Sequence, residues 1–295
     1  MSLSYLNSIR YNTAPVESEH IMKRTLLVLF FGMVVLSVAW ALDSPPDNDA
    51  EYYYTRLMYS GVGVPERGGP FPARYPPLRG FKCDDLERGE GGFGGGWRTD
   101  YPAADCKFIW GVERLTSIKA YREAPHPIEI MDPRLFDFPY LYIVEPGQML
   151  LNEQEAARLR EHLLRGGFLH ADDFWGIYQR ANFERQMAKV FPDRRLEPVP
   201  LTHEIFHTFF DIDTIMQIPN VSNGCYGRQT WESSSDKEPR IYGISDDTGR
   251  LMVIVTYNSD LGDAWEHMDV GCYPEKFSGQ AYRMGINFVV YAMTH

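Results

Sequence analysis

The sequence predicts an α/β fold, a mainly parallel sheet with helices on both faces, and three observations carry the prediction. Residues 139–176 read Pro-Tyr-Leu-Tyr-Ile-Val-Glu-Pro-Gly, an amphipathic stretch, then Gly-Gly-Phe-Leu-His-Ala-Asp-Asp-Phe-Trp-Gly, the pattern of a strand, a crossover helix and a second strand. Tyr140 to Val144 is a nearly unbroken apolar run, as a strand covered on both faces requires. The chain is 44% hydrophobic and 23% charged, a globular composition with material for one large or two small domains. Strands joined by a crossover helix end at the same sheet edge, where open α/β sheets take their ligands. Here that edge carries Glu145, Asp172 and Asp173.

The elements follow in order. Residues 1–21 read as a segment upstream of a true start at Met22. Met22-Lys23-Arg24 is a basic start, Leu26 to Val38 an apolar core, and Ala39-Trp40-Ala41 fits the small-x-small cleavage rule, so 22–41 is expected to be a signal peptide and the protein exported, periplasmic or secreted. Membrane contact is expected only through an uncleaved signal, since the apolar core is shorter than the roughly 20 residues a span prefers. Residues 42–51 form a linker and 52–295 a single domain with a Gly/Pro-rich insertion at 61–96. That insertion lacks the Gly-Lys-Ser/Thr ending of a phosphate-cradling loop.

Tyr52 to Tyr59 reads as the first strand, Ala103 to Leu115 as a helix packing Phe108, Ile109 and Val112, and Ser117 to Tyr121 as the next strand. In the crossover helix Asn152 is a cap, Glu155 closes a capping box, and Ala156, Leu159, Leu163 and Leu164 share a face that Gly166-Gly167 ends. Trp175 to Phe191 is expected to be helical, with Asp173 as its cap in the plainer reading. Residues 193–240 are irregular. Ile241 to Ser245 and Leu251 to Thr256 flank Asp246-Asp247-Thr248-Gly249 as a hairpin, and Glu275 to Thr294 closes the chain as a helix.

A formal charge of -11 without a basic segment argues against nucleic acid as a partner. The four cysteines, Cys83, Cys106, Cys225 and Cys272, form no Cys-x-x-Cys pair. Two disulfides in any of three pairings, or free buried thiols, fit the sequence; Cys83 with Cys106 and Cys225 with Cys272 closes the shorter loops.

Several residues could carry chemistry. Asp172 and Asp173 are adjacent, so on a strand they face opposite sides and do not form a dyad by themselves. Asp172 is the favoured site residue, with Glu145 at the end of the neighbouring strand; Asp172, Asp173 and Glu145 are the candidate catalytic carboxylates. Asn258 and Asp260 follow a sheet strand, and Trp175 and Trp265 supply aromatic faces, a combination that suits a polyhydroxylated ligand unless both tryptophans are core. His203-Glu204-Ile205-Phe206-His207 matches His-Glu-x-x-His, the zinc-protease signature, but without the amphipathic helix that normally carries it. No metal is assigned; His203 and His207 are the weak candidates, His203 also being a candidate ligand-binding residue.

Asp137 to Gly176, Thr202 to Asp213, Arg250 to His295, the opening Tyr53-Tyr54-Thr55-Arg56-Leu57 and Trp97-x-Thr99-Asp100-Tyr101-Pro102 resemble the bacterial family called domain of unknown function 4159 (DUF4159). The resemblance implies a flavodoxin-like fold similar to class I glutamine amidotransferases and to trehalose-utilisation (ThuA-like) proteins. It adds Arg56 and Asp100 to the ligand-binding candidates. Where those amidotransferases carry Gly-x-Cys-x-Gly, this chain has His170-Ala171-Asp172-Asp173-Phe174, so no thiolate is offered. The expected function is therefore binding, with hydrolysis by acid/base carboxylates as an extension, of a small polar, carbohydrate-like ligand at the carboxyl edge. The alternatives are a non-catalytic scaffold for another envelope protein and a metal-dependent hydrolase using His203, Glu204 and His207. No cofactor is expected.

Overall fold

A computed structural model describes residues 49–61, 81–86, 95–227 and 229–295. Residues 1–21 and 22–41, expected to be an upstream segment and a signal peptide, lie outside the described residues, as do most of 42–51 and most of 61–96.

The crossover unit forms as its local chemistry requires. Strand β4 (Tyr140–Val144) leads to helix α2 (Glu153–Leu164) and strand β6 (Phe168–Asp172). Asn152 Oδ1 accepts from the amides of Gln154 and Glu155, each at 2.9 Å, while the Asn152 amide donates to Glu155 Oε2 at 2.9 Å. Gly166, at φ 107°, takes the chain out of the helix. β4 and β6 run parallel, with Tyr140 beside Phe168 and Val144 beside Asp172.

The remaining strands are β1 (Thr55–Met58), β2 (Ser60–Gly61), β3 (His126–Glu129), β5 (Met149–Leu150), β7 (Glu197–Pro198), β8 (Arg240–Ser245) and β9 (Leu251–Tyr257). The described residues make a seven-stranded sheet in the order β3-β1-β4-β6-β9-β8-β7, and β2 pairs with β5. β3, β1, β4, β6 and β9 are parallel; β8 and β7 are antiparallel additions. The hairpin expected around Asp246 is the β8–β9 pair. One strand moves: Ser117 to Tyr121 contributes a single bridge, Ala120 to Tyr52, and the edge strand is His126–Glu129. Pro127 conceals that strand in the sequence, because proline is compatible with a sheet only at such an edge.

Helices α1 (Ala103–Leu115), α3 (Gly176–Val190), α4 (Val221–Tyr226), α5 (Leu261–Glu266) and α6 (Glu275–Thr294) complete the fold. Alternation along the strands builds two cores. Tyr140, Tyr142 and Val144 face Phe108 of α1, Trp265 of α5 and Phe288 of α6 in one apolar cluster. Leu141, Ile143, Leu169 and Ala171 join Leu159 of α2 and Phe183 of α3 in the other. Full burial of a leucine such as Leu159 is worth about 1.5–3 kcal/mol. Cys83–Cys106 and Cys225–Cys272 are disulfide-bonded, the pairing that closes the shorter loops. Among the described residues no helix is long and apolar enough to cross a membrane.

Candidate functional site

The parallel strands deliver their carboxyl ends to one edge, and the backbone leaves three of them in an unusual way. Glu145 after β4 has φ 47°, Asp173 after β6 has φ 54°, and Asn258 after β9 has φ 54°. Asp100, in the turn ahead of α1, has φ 62°. These four are the non-glycine residues in the left-handed region among the described residues, a conformation that costs about 1–2 kcal/mol per L-residue. Strain held at one edge by surrounding structure is a mark of functional sites.

Carboxylates crowd the same edge. Oxygens of Asp173, Glu232 and Asp260 lie within 4.8 Å of one another, and atoms of Asp263, Glu266 and His267 form a second such group. Asp173, Asp260 and Asp100 are 6%, 4% and 6% exposed. Burial raises the pKa of Asp173, and the charges of Glu232, Glu145 and Asp172 raise it further. Asp260 is raised by burial and then by Asp173, Asp263 and Asp100; Asp100 is raised by burial and then by Asp263, Glu266 and Asp173. Like charges this close in a dry setting cannot all ionise unaided. Trp175 Nε1 donates to Asp173 Oδ1 at 2.7 Å, and Asp260 Oδ1 caps α5 through the Asp263 amide at 2.8 Å.

Asp172 reaches the edge but is fully engaged. Its Oδ2 accepts from the Tyr142 hydroxyl at 2.9 Å and from the amides of Leu261 at 2.9 Å and Gly262 at 3.1 Å, while Oδ1 accepts from Thr256. Burial pushes its pKa up to about 6, and those hydrogen bonds restrain the rise. Asp172 therefore clamps the start of α5, while Asp173 meets Trp175 and the carboxylates of the edge. Asp173 does not cap α3. The first amides of that helix are met by Gln179 Oε1, Asn258 Oδ1 and Ser235 Oγ. Asn258 is thus a cap supplied from another strand, with its Nδ2 donating to the Glu238 carbonyl at 2.9 Å.

Glu145 is partly buried, and its Oε2 accepts from the Gly96 amide and from Gln148 Nε2, both at 2.8 Å. Arg56 is fully buried in an ion pair with Asp105, and its Nη1 donates to the carbonyls of Trp97 at 3.1 Å and Thr99 at 2.8 Å. It holds the turn that presents Asp100 rather than meeting a ligand. Trp265 is wholly core, with its ring 4.3 Å from that of Phe108. Trp175 is buried as well, at 5% exposure, and meets the edge carboxylates through its Nε1 bond to Asp173.

His203 and His207 lie elsewhere. The His203 ring is 5.9 Å from that of Tyr291, whose hydroxyl accepts from the amide of Leu251 at the amino end of β9. Ile205 and Phe206 bury in the core and draw the flanking histidines toward the carboxyl end of α6. The segment is a short 3-10 turn, Glu204–Phe206, so it gives no helical face to His203 and His207. Both His207 nitrogens are engaged, with Asp211 at 3.0 Å and the Leu201 carbonyl at 2.9 Å, and His203 Nδ1 accepts from the Ile205 amide. Placing His203 at the carboxyl edge is therefore corrected, and the zinc-protease geometry is not formed. A cavity of about 210 Å³ lies at the same amino edge, lined by Phe136, His162 and Arg165 among others, and holds no carboxylate.

Sequence reasoning missed Glu232, Asp263 and Glu266. Asp260, Asp263 and Glu266 stand three apart, a spacing that gathers side chains on one side of a helix, and that signal was readable. Glu232 sits in an irregular stretch with no pattern around it. No curated protein matches the chain. Residues 85–293 match the family described as domain of unknown function (DUF4159), a span that takes in both the edge carboxylates and the strands that carry them, and the chain belongs to that family.

Proposed function

We propose that this protein binds a small polar, hydroxyl-rich ligand at the carboxyl edge of its sheet. One observation carries the reading: Asp100, Asp173 and Asp260, each more than nine-tenths buried, converge there beside the Trp175 indole. Carboxyl groups accept from hydroxyls, and the buried Trp175 indole fixes the Asp173 carboxyl at the edge. Any proton transfer at this edge falls to Asp173 and Asp260, whose carboxyls burial and neighbouring carboxylates shift toward the protonated form.

Numbered along the chain, the parallel strands lie in the order 2-1-3-4-5, which supports a flavodoxin-like, amidotransferase-related fold. All four cysteines are in disulfides, so a thioester route has no thiolate to use. Disulfides also favour export to an oxidising compartment, periplasmic or secreted.

Calorimetric titration with a panel of monosaccharides and polyols tests the reading. Saturable binding is expected for at least one, weakened about tenfold or more in Asp173→Asn, since a buried polar group left without its partner costs about 1–3 kcal/mol. A folded protein that binds none of the panel at millimolar concentration overturns it. A second reading, docking on another envelope protein, has its own support in Ile177 and Tyr178, 49% and 68% exposed at the start of α3. Weakened partner capture by Tyr178→Ser, with ligand binding intact, would favour it.

A further inference from the structure

A buried chain of hydrogen bonds runs beside β6 from the core to the carboxyl edge. The Tyr140 hydroxyl lies 2.9 Å from His170 Nδ1, His170 Nε2 lies 3.2 Å from Thr256 Oγ1, and Thr256 Oγ1 bonds Asp172 Oδ1. Strand register builds it. His170 and Asp172 are two apart on β6 and so share a face, while Thr256 of β9 stands beside Asp172. All four side chains are buried.

Counting protons fixes the direction of the chain. Thr256 has one hydroxyl proton and two acceptors in reach, the Asp172 carboxylate and the Ala171 carbonyl at 3.2 Å. The carboxylate takes it, being the charged acceptor. Thr256 Oγ1 then accepts from His170, which places the imidazole proton on Nε2. The bare Nδ1 receives the Tyr140 proton, which has no other acceptor among the described residues. Burial pushes the His170 pKa down to about 3, so the ring is neutral and carries the single proton this arrangement needs. Every donor points toward Asp172. Asp172 Oδ2 in turn accepts from the Leu261 and Gly262 amides, the start of the helix that stands against Asp100.

We propose that His170 and Thr256 are positioning residues of the edge, acting through Asp172: they hold the carboxylate that fixes the first turn of α5, and proton uptake by that carboxylate loosens the turn. The proton, from solvent, goes to Oδ1, because Oδ2 already accepts three bonds. The Thr256 hydroxyl then turns to the Ala171 carbonyl and accepts from the new carboxyl proton. His170 keeps its tautomer, since the Tyr140 proton still has only Nδ1 as acceptor. A neutral carboxyl holds the Leu261 and Gly262 amides less strongly than a carboxylate, and the edge loses its grip on a ligand. The titratable and charged groups facing Asp172 are Tyr140 and Tyr142 of β4, Asp173 next along the chain and Tyr273 ahead of α6, with the Arg56–Asp105 pair and Asp100 beyond Tyr142. The inference goes beyond the ligand reading above and rests on it only for what the edge binds.

Nuclear magnetic resonance of the full chain reads this device without a ligand. With nitrogen-labelled histidine, the ring whose signals vanish in His170→Phe is expected to show a protonated Nε2 and a bare Nδ1 on both sides of the Asp172 midpoint. With carbon-labelled aspartate, the carboxyl signal missing in Asp172→Asn titrates near 6, and the Leu261 and Gly262 amide protons of the wild-type protein move with it. In Thr256→Val, Asp172 binds its proton about tenfold more tightly or more, the loss of one hydrogen bond to a charged group, and Thr256→Ser restores the wild-type midpoint. A proton on Nδ1, amides that stay still through the midpoint, or an unmoved midpoint in folded Thr256→Val overturns the proposal. Calorimetry with the monosaccharides and polyols of the panel reads the consequence: affinity is lost as pH falls through the midpoint, and the profile moves with the midpoint in Thr256→Val. If none of the panel binds while the amides titrate as expected, the ligand reading fails and the hold on α5 stands. A bound sugar whose pH profile is the same in Thr256→Val overturns the positioning role and leaves the ligand reading.

Discussion

Replacing Asp172 by asparagine puts an NH2 group where the native oxygens accept four hydrogen bonds, from Tyr142, Thr256, Leu261 and Gly262. Asp172→Asn is expected to lower stability by about 1–3 kcal/mol in urea unfolding, whereas Asp211→Asn at an exposed position changes it by about 0.5 kcal/mol at most. The edge carboxyls also set a pH dependence. Asp100, Asp173 and Asp260 are raised by burial, so the folded state binds their protons more tightly than the unfolded chain. Their contribution to stability is full below the ordinary carboxylate pKa and is lost as pH rises through the folded values. His126 and His162, pushed down to about 4, and His170, pushed down to about 3, act oppositely on the acid side of 6.5. Above 6.5 those histidines are neutral in both states and drop out. Stability should therefore fall as pH rises above 6.5, and the Asp173→Asn/Asp260→Asn double variant should show a flatter slope. Equal slopes would show that these carboxyls keep no proton.

The element that organises the site is the turn from β9 into α5, and it is sensitive to a single carbon. A Cβ at Gly262 would stand 2.5 Å from Asp100 Oδ2 and 2.9 Å from the Tyr142 hydroxyl. Gly262→Ala should displace Asp100 and weaken ligand binding at the edge while the protein remains folded, read by calorimetric titration and circular dichroism together. Asn258 separates two effects at the start of α3. Asn258→Gly removes the cap but keeps the left-handed backbone; Asn258→Ala loses both and should be less stable than the glycine variant by about 1 kcal/mol in thermal unfolding. The sequence made the β4-α2-β6 unit readable because its signals are local: an apolar strand, a capping box and a glycine stop. β3 escaped because Pro127 reads as a breaker, and its place is fixed by pairing with Thr55 to Met58, more than sixty residues earlier. At the site, Glu145, Asp172, Asp173, Asn258 and Asp260 were readable because each ends or closely follows a strand. Glu232 was not, since only tertiary folding brings an irregular segment to Asp260. His203 misled for a related reason: a motif gives spacing, while the burial of Ile205 and Phe206 decided to which edge it belongs.

Across the molecule, the disulfides tie loops outside the sheet to the helices beside the site. Cys83–Cys106 spans 23 residues and anchors to α1, and Cys225–Cys272 spans 47 and joins α4 to the segment before α6. Reduction should cost about 2–4 kcal/mol per bridge, measured as a fall in the unfolding midpoint with reductant present. A midpoint unmoved by full reduction would mean that the packed cores alone set stability. The buried Arg56–Asp105 pair is another whole-molecule tie, since it joins the central sheet to α1 and to the Trp97–Thr99 carbonyls. The outermost strands have a different consequence. β3 contains Pro127 and β7 contains Pro198, so each end of the sheet lacks an amide where a further strand would bond. Growth of this sheet into a neighbour's is thereby opposed at both borders among the described residues, a brake on the edge-to-edge zipping that seeds fibrils.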